Sequence, residues 1–472
     1  MYQSTRLGAG EQGRWVWGWG ALGIAGVVLS MQMLTLPALY LVDLSAWVFQ
    51  GARLRAELAD PAGTPGALVS HPVPNTLATL IPAAWLSIAG PVTVGKIMAV
   101  GLLLSGLMAG GAVGASVDGR EGWARASVIV SCLVVSSSFW NGYLGFQMGV
   151  ILALLLASVW VHRGEVPPWL VGVGSVALFL AHAVPFGVVA LLLGLDALRR
   201  RDGWTLAALT PSGVLTVWYV GARVLGTGPE PLATVEAEGI GRHLLHKAYS
   251  ALKLGPFQHP DGLDGAGVLS GFPGVYWAAV AASVAFVAVL GVALVAGTVR
   301  MVRGEHRRAA LAAWAIGASA LILPPVVLSV VNPGERVMVV AACVLLAVVP
   351  VPKRLMSSLG VLALVFLLTD AFALEAQRPG LTPEEIEAAY TDRARREVQP
   401  DPPVRLDGAV EDSATPFFGH PVLLHSDRYL AAERADWGRR SFETGLLWSP
   451  SAGSSESPAS GADSLQAQPR DP

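Results

Sequence analysis

Residues 274–299 read GVYWAAVAASVAFVAVLGVALVAGTV, a stretch without one acidic or basic side chain, and Arg300, Arg303, Arg307 and Arg308 follow directly. Coiled as a helix, a run of roughly 18 residues or more crosses the ~30 Å of a bilayer's hydrocarbon. The arginines give the crossing a direction, since loops rich in Lys and Arg are retained on the cytoplasmic side. Comparable runs recur along the first three-quarters of the chain, and two more basic clusters punctuate them: Arg199, Arg200 and Arg201, then Lys353 and Arg354. The fold class that follows is an all-α polytopic membrane protein.

Composition agrees. Of the 472 residues 53% are hydrophobic and 14% charged, where a soluble domain needs about 25% charged residues to cover its surface. A net charge of −2, with no basic face interleaved with aromatics, excludes a nucleic-acid binder. The two cysteines, Cys132 and Cys343, both lie inside apolar runs, which excludes a disulfide framework or a cysteine zinc site. The first run continues past Leu36 without a small-residue cleavage site, so it reads as a retained helix rather than a signal peptide.

With the three basic clusters placed inside, the count settles at about 11 transmembrane helices: 15–39, 93–117, 125–139, 143–161, 168–182, 184–198, 204–224, 274–299, 308–331, 335–351 and 354–375. The N-terminus, 1–14, is then cytoplasmic, and 15–375 forms the transmembrane domain. Two segments resist a simple assignment. Residues 43–58 carry Leu44, Trp47, Val48, Leu54 and Leu58 on one helical face, the stripe of a helix lying in the interface plane. Residues 76–90 must dip without crossing, because a second crossing there would force Arg6 and Arg14 outside. Both fall in an outer juxtamembrane loop, 42–92. A second outer loop, 225–272, holds another amphipathic stretch with Leu245, Ala248, Tyr249 and Leu252 on one side.

After Ala376 the character changes. Residues 376–448 form a polar outer segment with enough aromatics to pack on the bundle or bind an envelope protein partner. Residues 449–472, rich in Ser, Gly, Ala and Pro, read as a disordered tail. An odd number of spans puts this C-terminus outside. Abundant Gly, Ala and Arg with little Lys suggests a GC-rich bacterial genome, hence a bacterial inner (plasma) membrane.

Ionisable groups near hydrocarbon are expensive, roughly 2.5–3.5 kcal/mol at a helix centre, and tend to have a purpose. Here they are few and share one side: Asp43, His71, Asn75, Lys96, Asn141, His182, Glu335 with Arg336, and Asp370. Each has an ordinary structural role open to it. Asp43 can cap a helix, Asn141 before Gly142 can make a tight turn, and His182 can satisfy carbonyls at the break before Pro185. Lys96 and Arg336 can snorkel to headgroups. Together they allow more. An acid on the outer surface beside an apolar groove can serve as general base for an acceptor hydroxyl, and a cation such as Arg336, or Lys96, can hold a phosphate as it leaves.

The order of these features resembles the GT-C class of membrane glycosyltransferases, which includes the protein O-mannosyltransferases and the lipid A aminoarabinose transferases. The likeness spans about residues 15–375. It is carried by Asp43 after the first span, by the loop His71-Pro72-Val73-Pro74-Asn75 between two juxtamembrane helices, and by Gly90 and Lys96 opening the second span. The Phe139-Trp140-Asn141-Gly142-Tyr143-Leu144-Gly145-Phe146 turn, the His182 turn and Glu335-Arg336 look like a pattern in bacterial members of the superfamily. In two places the chain departs from the class: Asp43 stands alone, followed by Leu44 and Ser45, and Val73 interrupts the His-Pro-Pro element.

The resemblance implies that Asp43 is the catalytic acid, and that His71, Asn75, Lys96, Asn141, His182 and Arg336 bind substrate. It also implies a membrane lipid-linked donor, a polyprenyl-phosphate sugar, as partner, and an acceptor in the cell envelope. Some members use a divalent metal, and Asp43 with His71 falls short of a ligand set for one. Two other readings stay open. A non-catalytic membrane scaffold would use the outer tail to bind a partner. A transporter or flippase of lipid-linked saccharide would place charges near the bilayer midplane and often repeat its halves; the spans look almost free of such charges, and no half is duplicated.

Overall fold

The computed structural model describes residues 9–36, 41, 44–59, 67–68, 72–224, 240–256, 273–301, 305–324, 326–327, 330–376 and 447–448. Asp43, His71, residues 225–239 and 257–272 of the second loop, most of 376–448 and the whole tail 449–472 lie outside them.

Helices account for nearly all of the described chain. In order they are α1 (Ala9–Thr35), α2 (Leu44–Ala59), α3 (Thr76–Trp85), α4 (Pro91–Asp118), α5 (Trp123–Ile129), α6 (Ser137–Trp140), α7 (Leu144–Arg163), α8 (Pro168–Ala181) and α9 (Ala183–Arg200). There follow α10 (Gly203–Val224), α11 (Ile240–Leu252), α12 (Pro273–Arg300), α13 (Glu305–Ser319), α14 (Pro333–Val348) and α15 (Lys353–Ala376). Extended pairs among the described residues are two-residue ladders, Ala67–Leu68 with Leu447–Trp448 and Val326–Val327 with Val330–Val331.

Among the described residues six helical stretches are long and apolar enough to cross a membrane: Trp15–Thr35, Pro91–Val134, Leu144–Arg163, Gly203–Ala222, Trp277–Arg300 and Lys353–Ala371. Around them the surface is unlike that of a soluble protein. Trp17, Ile24, Met108, Trp169, Val173, Val217, Val292 and Ile322 are all more than half exposed, far beyond the scattered apolar residues that water tolerates. Bilayer hydrocarbon is the solvent that suits them.

The remaining expected spans correspond to shorter or more polar helices. The clearest difference is 308–331. The helix there stops at Ser319, because Pro324 and Pro325 cannot continue it, and a turn and a short ladder complete the stretch. Between α1 and α4 the structure has two short helices, α2 and α3, over the stretches where a one-sided stripe at 43–58 and charge counting at 76–90 lead one to expect segments that do not cross. At ten residues, α3 reaches only about half the hydrocarbon thickness. It packs on α2 across Gly51, whose missing side chain leaves room for Ala83 N. Gln50 accepts a hydrogen bond from Thr79 Oγ1 (3.3 Å), and Arg55 donates to the Leu86 carbonyl. Of the α2 stripe, Leu44, Val48 and Leu54 are buried, while Leu58 faces out.

The core lies where α4, α5, α7 and α14 meet. Small residues let α4 and α5 touch: Gly106, Gly110 and Gly114, four apart on one face of α4, receive Val134, Val130 and the Gly122 carbonyl. This is the small-residue spacing by which helices approach closely where no hydrophobic effect drives them together. Arg125 on α5 has no exposed surface. Its Nε pairs with Asp118 Oδ2 at 2.7 Å, and its Nη1 donates to the carbonyls of Leu346 (2.6 Å) and Val349 (3.1 Å) at the end of α14. Nearby, Lys353 pairs with Glu121 (2.7 Å), Arg200 donates to the Gly164 carbonyl (3.4 Å), and the Trp160 and His306 rings meet edge to face. One end of the bundle is therefore the basic end.

Candidate functional site

The opposite end is organised around the first turn of α14. Asn332 enters it in the left-handed region (φ 49°), Pro333 occupies the first turn, and Gly334, Glu335 and Arg336 follow. Proline suits that place because its missing N–H would have no partner there. The peptide dipoles leave the helix start partially positive.

Glu335 turns inward. Its Oε1 accepts from Ser137 Oγ (3.2 Å) and its Oε2 pairs with Lys253 Nζ on the chain after α11 (3.0 Å). Ser137 is available because α5 breaks up before it. The helix widens to a π-turn over Val130–Val134, with Val135 N bonded to the Val130 carbonyl, and then stops. The serines released by the break are satisfied locally: Gln147 Nε2 donates to Ser138 Oγ (2.5 Å) and Ser136 Oγ (3.2 Å).

Arg336 turns the other way. Its guanidinium lies over the Tyr143 ring (4.7 Å to the centroid) and the Phe146 ring (5.6 Å), with Nη1 2.5 Å from His182 Nε2. His182 links α8 to α9 and accepts from Val184 N at Nδ1 (3.1 Å). A neutral imidazole has one acceptor nitrogen, so the ring cannot accept from both Val184 and Arg336. The Arg336 Nε is buried without a hydrogen-bond partner. The arginine thus keeps donors for something else.

Asn75 joins the same end. It starts α3 in the left-handed region (φ 69°), which asparagine tolerates better than most residues. Its Oδ1 and the Ala181 carbonyl close over Gly145, leaving no room for a side chain there. The α3 start, the α7 start and the His182 turn are thereby brought together.

Two other described sequence candidates make structural contacts. Asn141 closes α6 by donating its backbone N–H to Ser137 O (2.8 Å), and it is Gly142 (φ 69°) that takes the positive dihedral of the turn. The Lys96 ammonium donates to the Leu34 carbonyl at the end of α1 (3.2 Å), a structural tie between α1 and α4. Asp370 on α15 is buried, and neither of its oxygens accepts a hydrogen bond among the described residues.

Sequence reasoning left out the residue that most changes the site. Lys247 on α11 is 3% exposed, and no hydrogen bond or carboxylate engages it among the described residues. It lies against Gly334, where an added Cβ would stand 2.7 Å from Nζ. The helix α11 is amphipathic with its faces arranged for a bilayer. Ile240, Leu244, Leu245 and Leu252 point outward, and Lys247 and Ser250 point into the protein. Burial pushes the Lys247 amine below the usual lysine range. The signal was available: the whole sequence has four lysines, and two of them, Lys247 and Lys253, fall within this one short segment.

The start of α14 therefore combines a helix dipole, Arg336 with spare donors, the Lys253–Glu335 pair and a buried amine that has no counter-ion among the described residues. That arrangement attracts an anion. No group of three or more His, Cys, Asp or Glu side chains among the described residues has the geometry to hold a metal ion. Compared with protein-family models, with curated proteins and with solved structures, the chain matches none.

Proposed function

We propose that this chain is a GT-C-like membrane glycosyltransferase of eleven transmembrane helices, which binds a polyprenyl-phosphate sugar at the amino end of α14. The observation that carries the reading is Lys247. A buried, unpaired ammonium costs several kcal/mol in a protein interior, and a phosphate seated between it, Arg336 and the helix start would remove that cost. The surroundings suit such a donor, because the apolar face of α11 and the exposed belt of the bundle offer hydrocarbon at the same level. Topology is part of the proposal: the basic end faces the cytoplasm and the α14 start faces outside.

In the proposed reaction an acceptor hydroxyl attacks the anomeric carbon, the bond from that carbon to the phosphate oxygen breaks, and Asp43 takes the hydroxyl proton. Polyprenyl phosphate leaves, its charge held by Arg336 and Lys247. Among the described residues no group of His, Cys, Asp or Glu side chains forms a ligand set for a divalent metal. Asp43 and His71 enter from the sequence resemblance alone.

The test is binding of undecaprenyl phosphate to the detergent-purified protein, read by native mass spectrometry for wild type, Arg336→Ala and Lys247→Met. Methionine fills a similar volume without the charge. The expected result is weaker lipid-phosphate binding in both variants, with the apo Lys247→Met protein at least as stable as wild type. Unchanged affinity in both would remove the phosphate site. Given binding, Asp43→Asn should abolish sugar transfer at an unchanged membrane level.

A second reading, transport coupled to a proton, has one observation in its favour: the Asp370 carboxylate on α15 is buried and has no hydrogen-bond partner among the described residues. Intramembrane carboxylates of this kind mark proton relays. Uptake or flipping of a lipid-linked saccharide by wild-type proteoliposomes, lost in Asp370→Asn, would favour it over transfer.

A further inference from the structure

At the basic end, between the second half of α7, the second half of α9, the start of α13 and the end of α14, lies a cavity of about 160 Å³. Its walls are Leu156, Trp160, Val189, Leu192, Ala312 and Val344, together with their apolar neighbours. Three charged residues line it as well: Asp196, Arg199 and Arg308. They fall at the ends of α9 and α13, so the cavity is apolar in depth and charged at the mouth.

At the mouth Asp196 pairs with both Arg199 and Arg200 (2.7 Å each). Arg308 is exposed and has no ion pair among the described residues. Beside the cavity, Leu191, Leu195 and Leu198 of α9 are at least half exposed, so its apolar lining runs on into the surface that faces hydrocarbon. An occupant must therefore offer an apolar chain and an anionic head joined at the depth of a helix end. A free anion would leave the apolar walls unfilled, and a neutral lipid would leave Arg308 unanswered.

We infer that this groove is a binding site for an anionic phospholipid of the adjacent leaflet, with one acyl chain between α7, α9 and α13 and its phosphate held by Arg308 and Arg199. The site shares no residue with the α14 start and stands whether or not the protein is a glycosyltransferase. Guanidinium groups suit it because their paired N–H donors match phosphate oxygens. Basic pockets between transmembrane helices recognise anionic headgroups in this manner.

The experiment uses the full chain in detergent, titrated with phosphatidylglycerol and with phosphatidylcholine of the same acyl chains, and followed by native mass spectrometry. Wild type should retain one phosphatidylglycerol in preference to phosphatidylcholine. Replacing both arginines, R199Q with R308Q, should cost about thirtyfold in phosphatidylglycerol affinity, near fivefold for each charge, and leave phosphatidylcholine unaffected. Ala309→Trp, which fills the groove and keeps both arginines, should displace the lipid as well. Equal retention of the two lipids by wild type would overturn the site. So would full phosphatidylglycerol binding in Ala309→Trp, which would reduce the effect to surface charge, or in the double arginine variant, which would point to another occupant such as detergent or a polyprenyl chain.

Discussion

Replacing Arg125 by methionine tests the most consequential buried contact in the bundle. The side chain has no exposed surface and holds three groups at once: Asp118 at 2.7 Å and the carbonyls of Leu346 and Val349 at 2.6 and 3.1 Å. Methionine fills much of the volume but donates nothing. Both carbonyls, at the end of α14, then lose this donor in a region without water to replace it, at about 1–3 kcal/mol each. Asp118 loses its counter-ion. Its side chain is 23% exposed, so hydration recovers part of that loss. The total falls at about 3–5 kcal/mol, the range for breaking one partner out of a buried pair. In a thermal unfolding assay on detergent-purified protein this corresponds to a drop on the order of 5–10 °C. Lys353→Ala, which breaks the exposed pair with Glu121, should leave the unfolding temperature where it is. If Arg125→Met unfolds with wild type, the buried arginine is not the clamp between α5 and α14, and the packing of α14 must rest on its apolar face alone.

Three further outcomes are expected. Gly114→Ala places a methyl group against the Gly122 carbonyl and should loosen the α4–α5 contact, lowering unfolding temperature more than Gly101→Ala, whose added Cβ meets nothing. Lys247 has its folded pKa below the ordinary value of 10.5, so between the two values the folded state holds fewer protons than the unfolded one. Stability of the lipid-free protein should then rise as pH climbs through that window, and Lys247→Met should abolish the rise. Single cysteines at Ser87, exposed in the expected outer loop 42–92, and at Arg201, in a variant lacking Cys132 and Cys343, should react differently with an impermeant thiol reagent on whole cells. Ser87→Cys is labelled and Arg201→Cys is protected, and the reverse pattern would invert the proposed topology.

Periodicity and charge carried much of the fold. Runs such as 274–299 have one stable state in lipid, since a helix satisfies its own backbone where no water is present. A one-sided stripe marked α2 as a separate short helix, and charge counting, not a stripe, set 76–90 apart from the spans. Hydropathy overran at 308–331, where it continues through Pro324 and Pro325 while the helix cannot.

Which polar residues work together was decided by the tertiary structure. Arg336 and His182, 154 positions apart, meet because α9 and α14 pack side by side. Lys96, an equal candidate by sequence, is drawn to the carbonyl of Leu34 at the end of α1. Arg125 stands in the sequence as a basic residue between two apolar runs, yet it is buried and bonded across the bundle to α14. Lys247 shows the limit most clearly. An amphipathic helix in water turns its apolar face inward, but beside a bilayer either face can turn to the protein. Sequence alone established that α11 has two faces. The packing of α11 on α14 turned the lysine inward, where it meets the positive end of a helix and, among the described residues, no carboxylate balances it.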